Sequence, residues 1–109
     1  MFRGKPALIK DTHKLAEGEA KVVDIGDPFS GGAQVVFGRI NGEIHALDTL
    51  CPHEKGRIVG GPLHDGRYVL CPLHNYFFDI KTGDCKGDLC KGAKRYKVRE
   101  ENGDCEIWV

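Results

Sequence analysis

Apolar and polar residues alternate in short runs along most of the chain, and turn-forming pairs separate the runs. Strand-like runs cover 22–25, 35–40 and 44–47. Asn41-Gly42 lies between the second run and the third, and this dipeptide is the preferred core of a two-residue type I′ hairpin turn. The pattern predicts antiparallel β-structure, with one short helical turn at most, between Asp11 and Ala16.

The C-terminal residues repeat this arrangement. Tyr96 and Val98 alternate with basic residues, Asn102-Gly103 follows, and Cys105 and Ile107 then alternate with more polar positions. A second hairpin is therefore predicted. Cys105 falls on the inward side of its strand, where a free cysteine behaves as a small apolar residue.

The segment 49–90 has a different character. It holds four of the five cysteines, at positions 51, 71, 85 and 90, together with three of the five histidines and three of the five prolines. Short strands are predicted at Arg67–Leu70 and Phe77–Ile80, with a turn over residues 81–84. The rest of the segment is predicted to be loops.

Composition narrows the function. The chain has 109 residues, the size of one domain, and its 16 basic and 16 acidic residues cancel. Without a basic excess, nucleic acid is not expected as a partner. No apolar run is long enough to span a membrane and no secretory signal precedes the first strand, so we expect a cytoplasmic protein without membrane contact. The odd cysteine count favours metal ligation, reactive thiols or burial over a disulfide framework.

Two loops combine cysteine, histidine and proline. Cys51-Pro52-His53 and Cys71-Pro72-Leu73-His74 are separated by residues 54–70. Proline fixes φ and stiffens each loop before a metal arrives. Two sites fit this donor set: a tetrahedral Cys₂His₂ zinc site, or a [2Fe–2S] cluster with two thiolates on one iron and two imidazoles on the other. Zinc fingers usually place two cysteines in one ligand pair and two histidines in the other. Here each loop contains one cysteine and one histidine, which favours the cluster, and zinc remains the alternative.

These two motifs resemble the Rieske signature. The similarity extends to residues 42–48, to Phe78-Asp79 and to Thr82-Gly83, and it covers the chain from about Ala20 to Val109. Within the family, the chain resembles Rieske-type ferredoxins and the small subunit of NAD(P)H-dependent nitrite reductase. The resemblance implies an all-β Rieske fold, a single domain over 1–109 in which a cluster-binding subdomain, about 49–90, is inserted into a small antiparallel β base.

The resemblance also implies one Rieske-type [2Fe–2S] cluster, with Cys51, His53, Cys71 and His74 as ligands. Two thiolates and two neutral imidazoles leave the oxidised site uncharged, so it accepts an electron more readily than a four-cysteine site. High-potential members of the family carry an extra cysteine in each loop, and a serine and a tyrosine whose hydroxyls reach the cluster sulfurs. The matching positions here are Gly56, Leu73, Tyr76 and Phe78, which predicts a low-potential cluster.

Three functional hypotheses follow. The first is a low-potential ferredoxin, monomeric when free and without a catalytic site, which takes one electron from a flavin reductase and passes it to an enzyme such as an oxygenase. The second is the small [2Fe–2S] subunit of a nitrite reductase. The third is a structural zinc module for protein binding.

Three further residues have weaker interpretations. Cys85 and Cys90 lie close together in sequence, which allows a second metal site or a redox-active pair. His64 lies between the two motifs and is expected to be a surface histidine, since the ligand set is complete without it.

Overall fold

The computed structural model describes residues 6–26, 32–51, 56–73 and 75–108. Within these ranges the chain forms nine β-strands: β1 Ala7–Ile9, β2 Glu19–Ile25, β3 Ala33–Ile40, β4 Glu43–Asp48, β5 Val59–His64, β6 Tyr68–Cys71, β7 Tyr76–Asp79, β8 Arg95–Glu101 and β9 Asp104–Trp108. Two short 3₁₀ helices, Thr12–Lys14 and Lys86–Asp88, accompany them. No helix of the described residues is long and apolar enough to cross a membrane.

Neighbouring strands pair antiparallel in the order β1-β9-β8-β4-β3-β2-β5-β6-β7, and the all-β prediction is confirmed. Both predicted hairpins form, β3–β4 and β8–β9. Asn41 and Gly42 have φ of 53° and 78°, and Asn102 and Gly103 have φ of 55° and 83°. Positive φ at both central positions is what a type I′ turn requires.

Strands β3 and β4 separate two hydrophobic cores. Val35 and Phe37 face one side and Val36 faces the other, and all three are buried. The first core also holds Leu47 and three cysteines, and the second holds residues of β2, β3, β4 and β9. The first core comprises Ala20, Val36, Leu47, Cys51, Ile58, Leu63, Val69, Cys71, Phe78, Ile80, Cys85 and Ala93, with Cys90 against it. The second comprises Ile25, Val35, Phe37, Ile44, Ala46, Cys105 and Ile107.

We call β1–β4, β8 and β9 the base. An ion pair ties its strands together: the Arg39 guanidinium donates two hydrogen bonds to the Glu100 carboxylate, at 2.8 and 2.6 Å. Arg39 also donates to the carbonyl oxygens of Leu15 and Thr12, and the Thr12 hydroxyl donates to Glu100. Hydrogen bonding to Arg39 is the main reason that the pKa of Glu100 lies below its ordinary value. Two-point Arg–carboxylate pairs of this kind fix orientation as well as adding stability.

Residues 49–90, which we call the cysteine end, include β5, β6 and β7 at one end of the strand order. Here the loop prediction is wrong for β5. Its sequence contains two glycines and Pro62, which are usually loop signals. Gly60 lies against β2, because a Cβ at this position would be 3.0 Å from the Ala20 carbonyl oxygen. The pairing with β2 covers two residue pairs, so proline and glycine are tolerated.

Other differences from the sequence prediction are small. Strand β1 has three residues and was not predicted, because so short a run shows no clear period. Strands β6 and β7 are each displaced by one residue from the predicted spans. The predicted turn near Asp11 is the 3₁₀ helix Thr12–Lys14. The boundaries of the cluster-binding subdomain stay a prediction.

Candidate metal centre

Cys51 lies in a tightly closed loop after β4. The amide of Ile58 donates to the Thr49 carbonyl at 2.7 Å, and the amide of Cys51 donates to the Gly56 carbonyl at 2.9 Å. The buried Thr49 hydroxyl donates to Gln34 Oε1 and accepts a hydrogen bond from Arg57. These hydrogen bonds therefore hold the two ends of the loop together, and Cys51 is the first residue of the loop.

Cys71 is the last residue of β6 and pairs with Tyr76, the first residue of β7. Asn75, just before β7, has a positive φ of 56°. A β-hairpin thus presents the second loop, just as the closed loop after β4 presents the first.

The structure brings the two predicted cysteine ligands together. Cys51 is 3% exposed and Cys71 is 1% exposed, and both lie in the first core. Gly56, whose carbonyl accepts from the Cys51 amide, also lies beside the Cys71 sulfur. Burial raises the pKa of the Cys71 thiol above its ordinary value, and the neighbouring Cys51 adds to the rise. A metal that binds here must displace the thiol protons, so metal affinity falls in acid.

The predicted histidine ligands, His53 and His74, lie outside the described residues. Within the residues that the structure describes, no three metal-ligating side chains converge on one point. The ligand set of four therefore stays a prediction, of which the structure places the cysteine half.

Gly56 leaves the space beside Cys71 open. A Cβ at position 56 would lie 2.8 Å from the Cys71 sulfur and 3.0 Å from the Leu73 Cβ. Positions 56 and 73 thus face each other across the two loops, with a Cβ–Cβ separation shorter than the roughly 3.5–4.5 Å of bridged cysteines. These are the positions that the Rieske resemblance matches to the disulfide of high-potential members, and here they carry glycine and leucine.

The turn after β7 contains residues of Phe78-Asp79 and Thr82-Gly83, the two pairs to which the sequence similarity extends. The Asp79 carboxylate accepts hydrogen bonds from the amides of Lys81 and Thr82 and from the Arg67 guanidinium. Burial alone would raise the pKa of Asp79, but these hydrogen bonds lower it overall. Asp79 therefore holds the β7 turn against β6 and supports the hairpin that carries Cys71.

Two more cysteines border the same core. Cys85 is buried and pairs with Phe78 through an isolated β-bridge, and Cys90 is partly buried. Burial raises the pKa of Cys90 to about 12, and the neighbouring Cys85 thiol adds to the rise. Cys105 is fully buried in the second core, as predicted. His64 is exposed on β5, where its ring contacts Phe77 at 5.1 Å.

Sequence reasoning missed a group of exposed leucines, which we call the leucine rim: Leu50, Leu73 and Leu89, exposed by 47%, 48% and 63%. Each lies within two residues of a cysteine of the first core. Their spacing follows neither a strand nor a helix period. The grouping of these leucines becomes visible only when the loops are considered together in three dimensions.

Taken together, these features define a β protein with a two-loop site whose buried thiols suit a soft metal or an iron–sulfur cluster. The chain matches the model of the Rieske [2Fe-2S] domain over residues 5–98. It belongs to the Rieske [2Fe-2S] domain family, and the predicted resemblance is confirmed. Membership implies a Rieske-type [2Fe–2S] cluster rather than zinc, and the paired thiols fit that cofactor.

Individual relatives agree. The chain is 40% identical over 72 residues to the ferredoxin component of the naphthalene 1,2-dioxygenase/salicylate 5-hydroxylase systems of Ralstonia sp, a match that covers 65% of this chain and 68% of that protein. The ferredoxin of carbazole 1,9a-dioxygenase from Nocardioides aromaticivorans IC177 has the same fold, with a TM-score of 0.79, 22% identity and coverage of 96% and 98%. A chain described as the NADH-dependent nitrite reductase small subunit of Mycobacterium tuberculosis also shares the fold, with a TM-score of 0.63, 21% identity and coverage of 93% and 91%.

Proposed function

We propose that this protein is a Rieske-type ferredoxin that carries single electrons to an oxygenase. The observation that carries the proposal is the pair of buried, adjacent thiols, Cys51 and Cys71, each at the start of a loop with Rieske spacing. In this proposal Cys51, His53, Cys71 and His74 hold the cluster. When bound, a Rieske cluster takes up and releases one electron at a time.

The chain contributes a dry, rigid setting for the two thiolates. The closed loop at Cys51 and the β6–β7 hairpin at Cys71 fix both sulfurs before metal binds, which reduces the ordering cost of binding. Burial of both sulfurs in the first core excludes water from that side of the site. The thiols lose their protons when the site is loaded.

A low potential is part of the proposal. Gly56 and Leu73 face each other where high-potential members of the family would be bridged, and Phe78 has no hydroxyl to donate to a cluster sulfur. Fewer hydrogen bonds to sulfur leave the reduced state less stabilised. A redox titration should give a midpoint below zero, toward the ~−150 mV end of the Rieske range. A midpoint well above zero would contradict this part.

The leucine rim supports a docking role for the cysteine end. Exposed apolar side chains around a redox site offer a surface that a partner can cover while excluding water. The relative from Ralstonia sp is a ferredoxin component of a dioxygenase system, so we infer an oxygenase as acceptor and a flavin reductase as donor. The free protein is proposed to be a monomer in the cytoplasm, where cysteines stay reduced. The likeness to a nitrite reductase subunit concerns the fold alone and does not favour that alternative.

Electron transfer to an oxygenase tests this function directly. The reduced protein is mixed with the oxygenase component of an aromatic dioxygenase, and its reoxidation is followed in a stopped-flow spectrometer. Leu89→Ser should lower the second-order rate constant roughly tenfold, because the burial of one leucine stabilises a complex by a free energy that corresponds to a factor of about ten. Leu8→Ser is the matched control, since Leu8 is 52% exposed on β1 at the other end of the strand order. Equal rates for both variants would rule out docking through the rim.

A further inference from the structure

Cys85 and Cys90 lie on the segment that borders the first core after β7. An isolated bridge to Phe78 fixes Cys85, and a hydrogen bond from the Ala93 amide to the Gly83 carbonyl, at 2.8 Å, fixes the chain on either side of the pair. The 3₁₀ helix Lys86–Asp88 connects the two cysteines and reverses the chain at Gly87, whose φ is 77°. This reversal turns the chain back on itself, so that Cys85 lies in the first core and Cys90 packs against the same core.

The two thiols differ in access. Cys85 is 4% exposed, whereas Cys90 is partly open to solvent beside the exposed Leu89. A small oxidant can therefore reach Cys90 first, and Cys85 is in place to resolve the product. Cys105 offers a contrast, because it is fully buried in the other core and its sulfur contacts the Glu106 carbonyl.

We propose that Cys85 and Cys90 form a redox-active dithiol that closes reversibly to an intramolecular disulfide, with low-molecular-weight disulfides such as oxidised glutathione as the oxidant. The Cys90 sulfur attacks the small disulfide, forms a mixed disulfide and releases one small thiol. The Cys85 sulfur then attacks the Cys90 sulfur and releases the second. One protein dithiol is oxidised, one small disulfide is reduced to two thiols, and no proton is left over.

The disulfide would close a ring around Leu89 of the leucine rim. Ring closure restricts the backbone of residues 86–89. A two-electron oxidation of the thiols would therefore stiffen one part of the leucine rim around the proposed one-electron cluster site. Reversible disulfides of this kind, in a compartment that keeps other thiols reduced, act as redox sensors.

Trypsin makes the test unambiguous, because it can place every cysteine in a separate peptide. Cys85 lies in Thr82–Lys86 and Cys90 in Gly87–Lys91, while the other three lie in Ile40–Lys55, Tyr68–Lys81 and Glu100–Val109. The purified protein with its cluster is incubated without oxygen in oxidised glutathione for several hours, quenched with an alkylating reagent and digested. We expect the first two peptides to be joined, a protein mass lower by about 2 Da, and two fewer alkylated thiols.

Matched variants separate this pair from adventitious oxidation. Cys105→Ala should still give the joined peptides, and Cys90→Ala should not. Hydrogen exchange of the amides in 86–89 should slow at least severalfold on oxidation of the wild type and of Cys105→Ala, and remain unchanged in Cys90→Ala. Cys90 is the variant of choice because it is less buried than Cys85.

Three results would overturn the proposal: unchanged alkylation in oxidised glutathione, a mixed disulfide on Cys90 that never resolves, or a link that involves Cys105. A link between the peptides of Cys51 and Cys71 would instead show that those thiols are not holding a cluster, which contradicts the proposed function. The joined Cys85 and Cys90 peptides support the dithiol whether or not the cluster assignment holds.

Discussion

The β3–β4 and β8–β9 hairpins of the base close on Asn-Gly turns and place alternate side chains on opposite faces, with both faces of β3 buried, whereas the sequences of the loops after Cys51 and Cys71 show no such period. In the base, side-chain periodicity and turn chemistry determine the geometry. At the cysteine end, the Thr49 hydroxyl donates a hydrogen bond and the Asp79 carboxylate accepts one, and bonds of this kind hold loops that burial alone would not order. We therefore expect both regions to fold without metal, and metal binding to add stability mainly at the cysteine end.

The largest effect should come from removing a thiol at the cysteine end. We expect purified Cys71→Ser to keep less than about a tenth of the wild-type iron, because a serine hydroxyl is a poor substitute for a thiolate. Metal analysis and the visible spectrum measure this loss. Cys105→Ser is the control, since Cys105 is also buried but lies in the second core. Equal iron loss in both variants would show that the effect is structural.

A change in the base should give the opposite result. Arg39→Gln removes the two-point contact with Glu100, where the side chains are 11% and 22% exposed, and should lower the free energy of unfolding by about 2 kcal/mol. The midpoint potential should not move. Chemical denaturation and redox titration of the same sample test both statements, and a shifted potential would mean that the two regions are coupled.

The same ion pair has a predictable pH dependence. The pKa of Glu100 lies below its ordinary value of 4.5 in the folded protein. The contribution of the ionised Glu100 to the free energy of unfolding is complete above the pKa of the unfolded state. It is lost as the pH falls through the lower pKa of the folded state. The stability difference between the wild type and Arg39→Gln should therefore be constant above about pH 5.5 and shrink on further acidification. A difference that grows in acid would contradict the assignment.

A hydroxyl added at the cysteine end should tune the cluster without destroying it. Phe78→Tyr places a donor where the resemblance expects one, and we expect the midpoint to rise by tens of millivolts because a hydrogen bond to sulfur stabilises the reduced state. Phe77→Tyr is the matched control: its ring contacts His64 and Tyr68 and is not part of the first core. If both variants shift the midpoint equally, the effect is not a local hydrogen bond.

The smallest effect is expected from His64→Ala. His64 is exposed, and its ring contact with Phe77 contributes only a small part of the free energy of unfolding. The visible spectrum should be unchanged, whereas His74→Ala should abolish it. Loss of the spectrum in His64→Ala would mean that the ligand assignment is wrong.

Most of the base could be predicted from the sequence, because alternation and two Asn-Gly pairs specify both strands and turns. Strand β5 could not, since Gly60 and Pro62 usually indicate loops. The close approach to Ala20 accounts for Gly60, and the short pairing with β2 tolerates Pro62. The predicted ligands needed no three-dimensional information, because ligand spacing is local in each loop. The Gly56–Leu73 contact and the leucine rim depend on how separate loops meet, which no single-sequence pattern records.

The most direct test of the account is the metal content and electron paramagnetic resonance of the purified protein. We predict about two irons and about two acid-labile sulfides per chain, and a rhombic signal that appears on one-electron reduction below zero millivolts. A colourless protein with about one zinc per chain and no such signal would contradict the central claim.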